Sequence, residues 1–355
     1  MKTINESNLT KFYTELDKSY SLLLPSRNKE SEKVDFNYWN TDLKVALDQQ
    51  NTATSPREYL LPKNETYLKF QQDNNTVNFK RTESNDLPQI LFGIRPCDMT
   101  AINRLDRVFL SSPVDELYER RRNNTITIVS LCLTEDETCF CRMFGLDPLS
   151  PPPGTDIVYY KKGDNLYFKA VSSKGEKLLK ENDQLFTTSN KDIANENLSE
   201  FLEEHSDQMN GEQSNKQRLQ DIDPELLYNN QEQLFSSSVW QKLARRCLEC
   251  GICTYLCPTC HCFDIQDFAA GKTGERYRCW DSCLFSSFTQ MAQGENPRET
   301  TEARLKQRFY HKLAYYPSEN EGEMACVGCG RCIRQCPVNI DIVEVLRDLG
   351  GELNV

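Results

Sequence analysis

Cys247, Cys250, Cys253 and Cys257, followed by Pro258, spell C-x-x-C-x-x-C-x-x-x-C-P, and the phrase returns complete at Cys326, Cys329, Cys332, Cys336 and Pro337. Three thiolates on one tight loop can each take a different iron of a 4Fe-4S cubane, while the fourth cysteine leaves with the chain toward the other cluster. The two runs are therefore expected to interlock. One cluster falls to Cys247, Cys250, Cys253 and Cys336, the other to Cys326, Cys329, Cys332 and Cys257. Structural zinc is the plainer alternative, but zinc needs only two C-x-x-C pairs and gives no reason for two four-cysteine runs each closed by proline.

The chain has 355 residues, long enough for two domains that each bury a core. Of its 16 cysteines, 12 lie between Cys247 and Cys336, so the last third is a cysteine-dense domain and the rest is something else. The start MKTINESNLTKFYTELDKSY carries no apolar signal segment, so metal ligation in a reducing cytoplasm is expected rather than disulfides. No apolar run approaches the roughly 18 residues that span a bilayer, and direct membrane insertion is not expected. The formal charge of −11 argues against nucleic acid, because phosphate binding wants a basic face.

Leu9, Phe12, Tyr13, Leu16 and Tyr20 recur at helical spacing, which predicts an amphipathic helix near the start. YLKF, TVNFK and ILFGI read as strands. ILFGIRPCD leads into DMTAINRLDRVFL, which suits a helix, then the charged DELYERRRNN, then the strand TITIVSLC. This is a βαβ crossover, which predicts parallel strands. IVYYKKGDNLYFKA is a hairpin turning at Gly163, Asp164 and Asn165. The fold class expected is α+β: an N-terminal α/β domain with a mixed sheet over 1–205, a linker over 206–229 with a short helix at 198–205 before it, and a helical two-cluster ferredoxin-like domain over 230–355. EQLFSSSVWQKLARR and VNIDIVEVLRDL should be helices before and after the cysteine runs. The insertion between the runs, 259–325, should fold as an added lobe. Its helix near 300–313 carries Arg304, Arg308, His311 and Lys312; a basic rim that tunes electron transfer is one reading, and a solvated face is the preferred one.

Cys97 and Cys132 close two strands predicted to be parallel neighbours, and open α/β sheets bind ligands at that carboxyl edge. Cys139 and Cys141 follow in TEDETCFCRMFG, close enough to fold back over the same place. A third 4Fe-4S cluster on Cys97, Cys132, Cys139 and Cys141 is the reading these positions suggest; buried, unligated thiols are the alternative. In the insertion, Cys260, Cys262, Cys279 and Cys283 stand as C-H-C and C-W-D-S-C, able to bind zinc or another cluster, with His261 as a further donor, or to remain unligated. The C-x-x-x-C of Cys279 and Cys283 matches half of a sirohaem-reductase motif, whose other half is available only inside the ferredoxin run.

SPREYLLPKNETYLKF, LFGIRPCD, the CFC at Cys139, CPTCHCFD and RYRCWDSC together resemble the iron-sulfur (4Fe-4S dicluster) subunits of anaerobic sulfite reductase and of cytosolic NiFe sulfhydrogenases, the latter called beta, from about residue 55 onward. The resemblance implies a noncatalytic subunit that passes electrons between a flavoprotein oxidising NADH or NADPH and a separate catalytic subunit holding sirohaem or NiFe. It carries over the eight ferredoxin cysteines as ligands. Where the family usually has a glycine-rich turn after CFC, this chain has RMFGLDPLS. No Gly-rich phosphate loop and no full sirohaem motif is present, so a substrate site is not expected. The contrasting possibility is a self-contained oxidoreductase binding a flavin or small substrate in the α/β domain; colour and activity of the chain alone distinguish the two.

Overall fold

The computed structural model describes residues 1–28, 31–48, 51–73, 76–82, 87–188 and 213–353. The expected crossover is present. Strand β6 (Gln89–Ile94) runs into helix α2 (Pro96–Phe109), then α3 (Glu116–Asn123), and returns through β7 (Thr125–Ser130), parallel to β6. All six residues of β7 are buried, as a strand covered on both faces requires. The sheet has eight strands, the central four being β2 (Ser21–Arg27), β6, β7 and β8 (Ile157–Lys162), all parallel. Antiparallel strands flank them: β3 (Val34–Tyr38) on one side, and β9 (Asn165–Ala170), β1 (Lys2–Asn5) and β10 (Thr187–Thr188) on the other. Helix α1 (Leu9–Asp17) buries Leu9, Phe12, Tyr13 and Leu16 against the sheet, the face its periodicity marks, and helix α4 (Ser173–Glu181) packs Leu178 and Leu179 into the same core.

YLKF and TVNFK do not join ILFGI. They form β4 (Asn64–Asp73) and β5 (Thr76–Arg81) of a second, antiparallel sheet in the order β11-β12-β4-β5, where β11 (Phe263–Ala270) and β12 (Thr273–Trp280) come from the insertion. The insertion is therefore not a lobe of its own: its hairpin completes a sheet begun about two hundred residues earlier, and its helix, Thr301–Tyr310, belongs to the helical core. Arg278 on β12, 1 % exposed, bonds Glu65 and Asp115 at 2.6 Å each. The Arg57 guanidinium lies 3.6 Å from the Trp280 ring and donates to the carbonyls of Tyr255 and Cys260. These contacts staple the hairpin to the N-terminal domain.

The helical core gathers α5 (Ser238–Ala244), α6 (Thr301–Tyr310) and α7 (Ile342–Leu353) around Trp240, Phe309, Leu313, Val343 and Leu346. The helix expected at 198–205 lies outside the described residues. So does the expected linker as far as 212; from Gln213 onward it is packed chain, with Leu226 and Leu227 buried in this core and Arg218 bonded to Asp341 at 2.6 Å. Among the described residues, no helix is long and apolar enough to cross a membrane.

Candidate iron-sulfur sites

The two cysteine runs fold alike. After the first cysteine the chain passes through left-handed backbone at Glu249 (φ 53°) or Gly328 (φ 63°), and again after the second at Gly251 (φ 71°) or Gly330 (φ 74°). A four-residue helix follows in each, 252–255 and 331–334. The turns direct backbone N–H groups at sulfur: Glu249 donates to Cys247 Sγ at 3.4 Å, and past the second run Ile340 donates to Cys336 Sγ at 3.2 Å. Such bonds are among those by which a protein tunes cluster-bound sulfur.

Cys336 stands near Cys253 of the first run, and Cys257 stands near Cys326, Cys329 and Cys332 of the second as well as near Cys253. Burial raises the thiols of Cys253 and Cys332, Arg308 opposes it at both, and the neighbouring thiols, Cys250, Cys336 and Cys257 for the one and Cys326, Cys329 and Cys257 for the other, add to the rise. Cys257 stands apart in protonation. A hydrogen bond from Cys260 outweighs burial, and Lys312 and Thr259 add to it, so the thiol sits well below its usual range.

The third group also assembles. Cys97 enters at the second position of α2, behind Pro96, with Asp98 accepting from the Arg95 N–H at 3.3 Å. Cys132 lies just past β7, where Pro148 O holds its N–H at 2.9 Å. Cys139 and Cys141 fold back with them, and one cavity is lined by all four thiols together with Cys329 of the second run. Burial first, then the nearby thiols, raises Cys139, and burial pushes Cys141 up to about 12. Arg95 lines the same cavity and Arg142 stands near Cys132 and Cys141, yet burial outweighs both and keeps these thiols raised; iron would supply the charge that such a buried donor set needs. Phe140 donates to Gly328 O at 2.8 Å, and a Cβ on Gly328 would lie 2.4 Å from the Cys141 nitrogen. Only glycine allows that approach at this φ.

The insertion cysteines do not form one group. Cys260 lies against Cys257, Cys262 is bonded by Cys283 and held at about 7, and Cys279 sits on β12 in register with Asp264. His261 places Nδ1 3.0 Å from Thr259 O and packs edge-on to Phe109 and His311. Among the described residues, no three His, Cys, Asp or Glu side chains stand close enough to share one metal ion.

The preferred reading of the insertion helix is overturned. Arg304, Arg308 and Lys312, at i, i+4 and i+8, are 4 %, 5 % and 5 % exposed, so they form an interior stripe rather than a solvated face. Arg304 bonds the carbonyls of Leu284 (3.1 Å), Arg298 (2.8 Å) and Glu299 (2.6 Å) and pairs with Glu249 between Cys247 and Cys250. Arg308 faces Cys253, Cys332, Cys260 and Cys257; burial opposes its charge, but those thiolates outweigh it and hold the pKa above its ordinary value. Its Nε is buried without an acceptor among the described residues. Cluster sulfur would satisfy that donor, so the residues present fit the group that the cysteine spacing implies. Arg331 was also missed: it is fully buried within the second run, bidentate to Asp98 (2.6 and 3.2 Å) and bonded to Thr52. The only signal available was its place between Cys329 and Cys332.

Residues 246–340 match the 4Fe-4S dicluster domain family. The chain is also 34 % identical over 308 residues to sulfhydrogenase 2 subunit beta of Pyrococcus furiosus, covering 86 % of this chain and 85 % of the relative. This chain belongs to the sulfhydrogenase beta-subunit family of iron-sulfur proteins. No solved structure matches it significantly. Its membership and the two cysteine runs make it a carrier of 4Fe-4S clusters.

Proposed function

We propose that the chain is the electron-relay subunit of a hydrogenase complex, standing between a flavoprotein that oxidises NADH or NADPH and a separate catalytic subunit. Its relative is by name a sulfhydrogenase subunit, which favours a NiFe partner over a sirohaem one. Clusters supply one-electron carriage; the protein's part is to hold, space and bias them. Cys247, Cys250, Cys253 and Cys336 would hold the first, Cys326, Cys329, Cys332 and Cys257 the second, and Cys97, Cys132, Cys139 and Cys141 a third. The two domains, 1–205 and 230–355, are joined at this relay.

The observation that supports the reading most is the cavity shared by Cys329 and the four N-terminal thiols. It sets a ligand of the second group against the third, so the three groups form a series. Cys250, the exposed cysteine, marks one end. Iron and labile sulfide in the chain purified anaerobically test it. About twelve irons support three cubanes, and about eight remove the third. Turnover of hydrogen or sulfite, or bound flavin, in the chain alone would overturn the relay reading in favour of a self-contained enzyme.

A further inference from the structure

Lys312 holds both cysteine runs at the second ligand group. Its ammonium donates to Cys257 Sγ at 3.2 Å and to Thr259 Oγ1 at 3.0 Å, while its carbonyl accepts from the N–H of Ala325, the residue before Cys326, at 3.0 Å. The helix widens to a π turn at His311–Tyr315 where this happens, a distortion that accompanies functional positions. One turn earlier, Arg308 is 5 % exposed, its Nε is buried without an acceptor among the described residues, and Cys253 of the first run and Cys332 of the second are the thiols that act on it most. Buried cations without a carboxylate partner are costly unless anionic ligands surround them. No acidic side chain is paired with either residue among the described residues, and cysteine sulfur takes that role, Cys257 being the thiol that burial does not keep protonated.

We propose that Arg308 and Lys312 are positioning residues for reduction potential: Arg308 raises both ferredoxin-type clusters, and Lys312, whose one cysteine partner is Cys257, raises the second above the first. The inference rests on the ligand assignment above. Adding an electron makes a cluster more negative, so a fixed cation in a poorly solvated interior stabilises the reduced form. A cation nearer one cluster therefore biases electrons toward it. The bias favours movement from the first group, with its exposed cysteine, to the second, which adjoins the third.

The test is an anaerobic EPR-monitored redox titration of the full chain, with Cys336→Ser identifying the first cluster's signal. In the unsubstituted protein, the second cluster should titrate above the first; equal or reversed order overturns the proposal without recourse to a variant. Lys312→Gln should lower the reduced-to-oxidised ratio of the second cluster at least tenfold at fixed potential, about 59 mV for one electron, and shift the first less. Lys312→Arg should restore it. Arg308→Gln should lower both. Unchanged potentials at normal iron content reject the tuning role while leaving the ligand assignment intact, whereas absence of two cubane signals in the unsubstituted protein rejects the assignment itself.

Discussion

Replacing Arg331 by methionine should destabilise the protein severely. The guanidinium is fully buried and its partner Asp98 is 1 % exposed, so the substitution leaves a carboxylate in the interior without its counter-charge. Breaking a buried pair from one side costs about 3–5 kcal/mol, and the Thr52 carbonyl, 3.0 Å from Arg331 Nε, also loses its donor. Against a total stability of about 5–15 kcal/mol this is a large fraction. Arg331→Lys should also fail, because an ammonium cannot reproduce the bidentate fork. A double-mutant cycle isolates the pair. Asp98→Leu combined with Arg331→Met removes both charges, and the double variant should recover much of what either single variant loses. Apparent unfolding temperature of the iron-loaded protein, measured anaerobically, is the readout. A loss below about 1 kcal/mol in Arg331→Met, or strictly additive losses in the double variant, would refute the reasoning. Arg331 lies between Cys329 and Cys332 and Asp98 adjoins Cys97, so this ion pair ties the second cysteine run to the cavity that Cys97 lines.

Three further outcomes can be checked. Cys336→Ser should damage the cluster on Cys247, Cys250 and Cys253 and spare the one on Cys326, Cys329 and Cys332, and EPR showing loss of the latter alone would reverse the crossover. Gly328→Ala should dislodge the Cys139–Cys141 loop, because its Cβ would meet the Cys141 backbone at 2.4 Å; iron should fall from about twelve toward eight, and an unchanged iron content would contradict that packing. His311 is depressed from 6.5 to about 4, by burial first and then by His261 and Lys312. Below pH 6.5 the unfolded chain binds a proton that the folded chain excludes, so stability is present above that pH and is lost as pH falls toward 4. At about 1.4 kcal/mol per unit, ~2 kcal/mol should be gone by about pH 5. His311→Gln should flatten that part of the stability profile, and an identical profile would exclude the histidine as its source.

The parts legible in sequence were those with local causes. Alternation and helical periodicity located β6, α2, β7 and the β8–β9 hairpin, because each pattern reports which face of one segment is buried. The cysteine spacing predicted two matching loops, and the two runs do share their left-handed turns and short helices. Cys97 and Cys132 read as closing their strands; Cys132 lies two residues past β7, while Cys97 falls in the first turn of α2, because the strand stops at Ile94 and Pro96 opens the helix. What failed was non-local. YLKF and TVNFK read correctly as strands, but nothing within them says that their partner is a hairpin about two hundred residues away. Arg304, Arg308 and Lys312 read as a solvated stripe because charged residues usually are; their burial depends on distant partners, carbonyls and Glu249 for Arg304 and cysteine sulfur for Arg308 and Lys312, which periodicity does not register.

The sequence by itself determined that this chain must hold clusters, since the order and spacing of eight cysteines leave few other uses for them. Tertiary structure alone decided how they relate to one another. It brought Cys329 against Cys97, locked that approach with Arg331 and Asp98, and drove the basic helix inward between the two runs. Spacing along a chain constrains the ligands of one loop. The proximity of two loops, and the charge between them, is set by packing across the whole molecule.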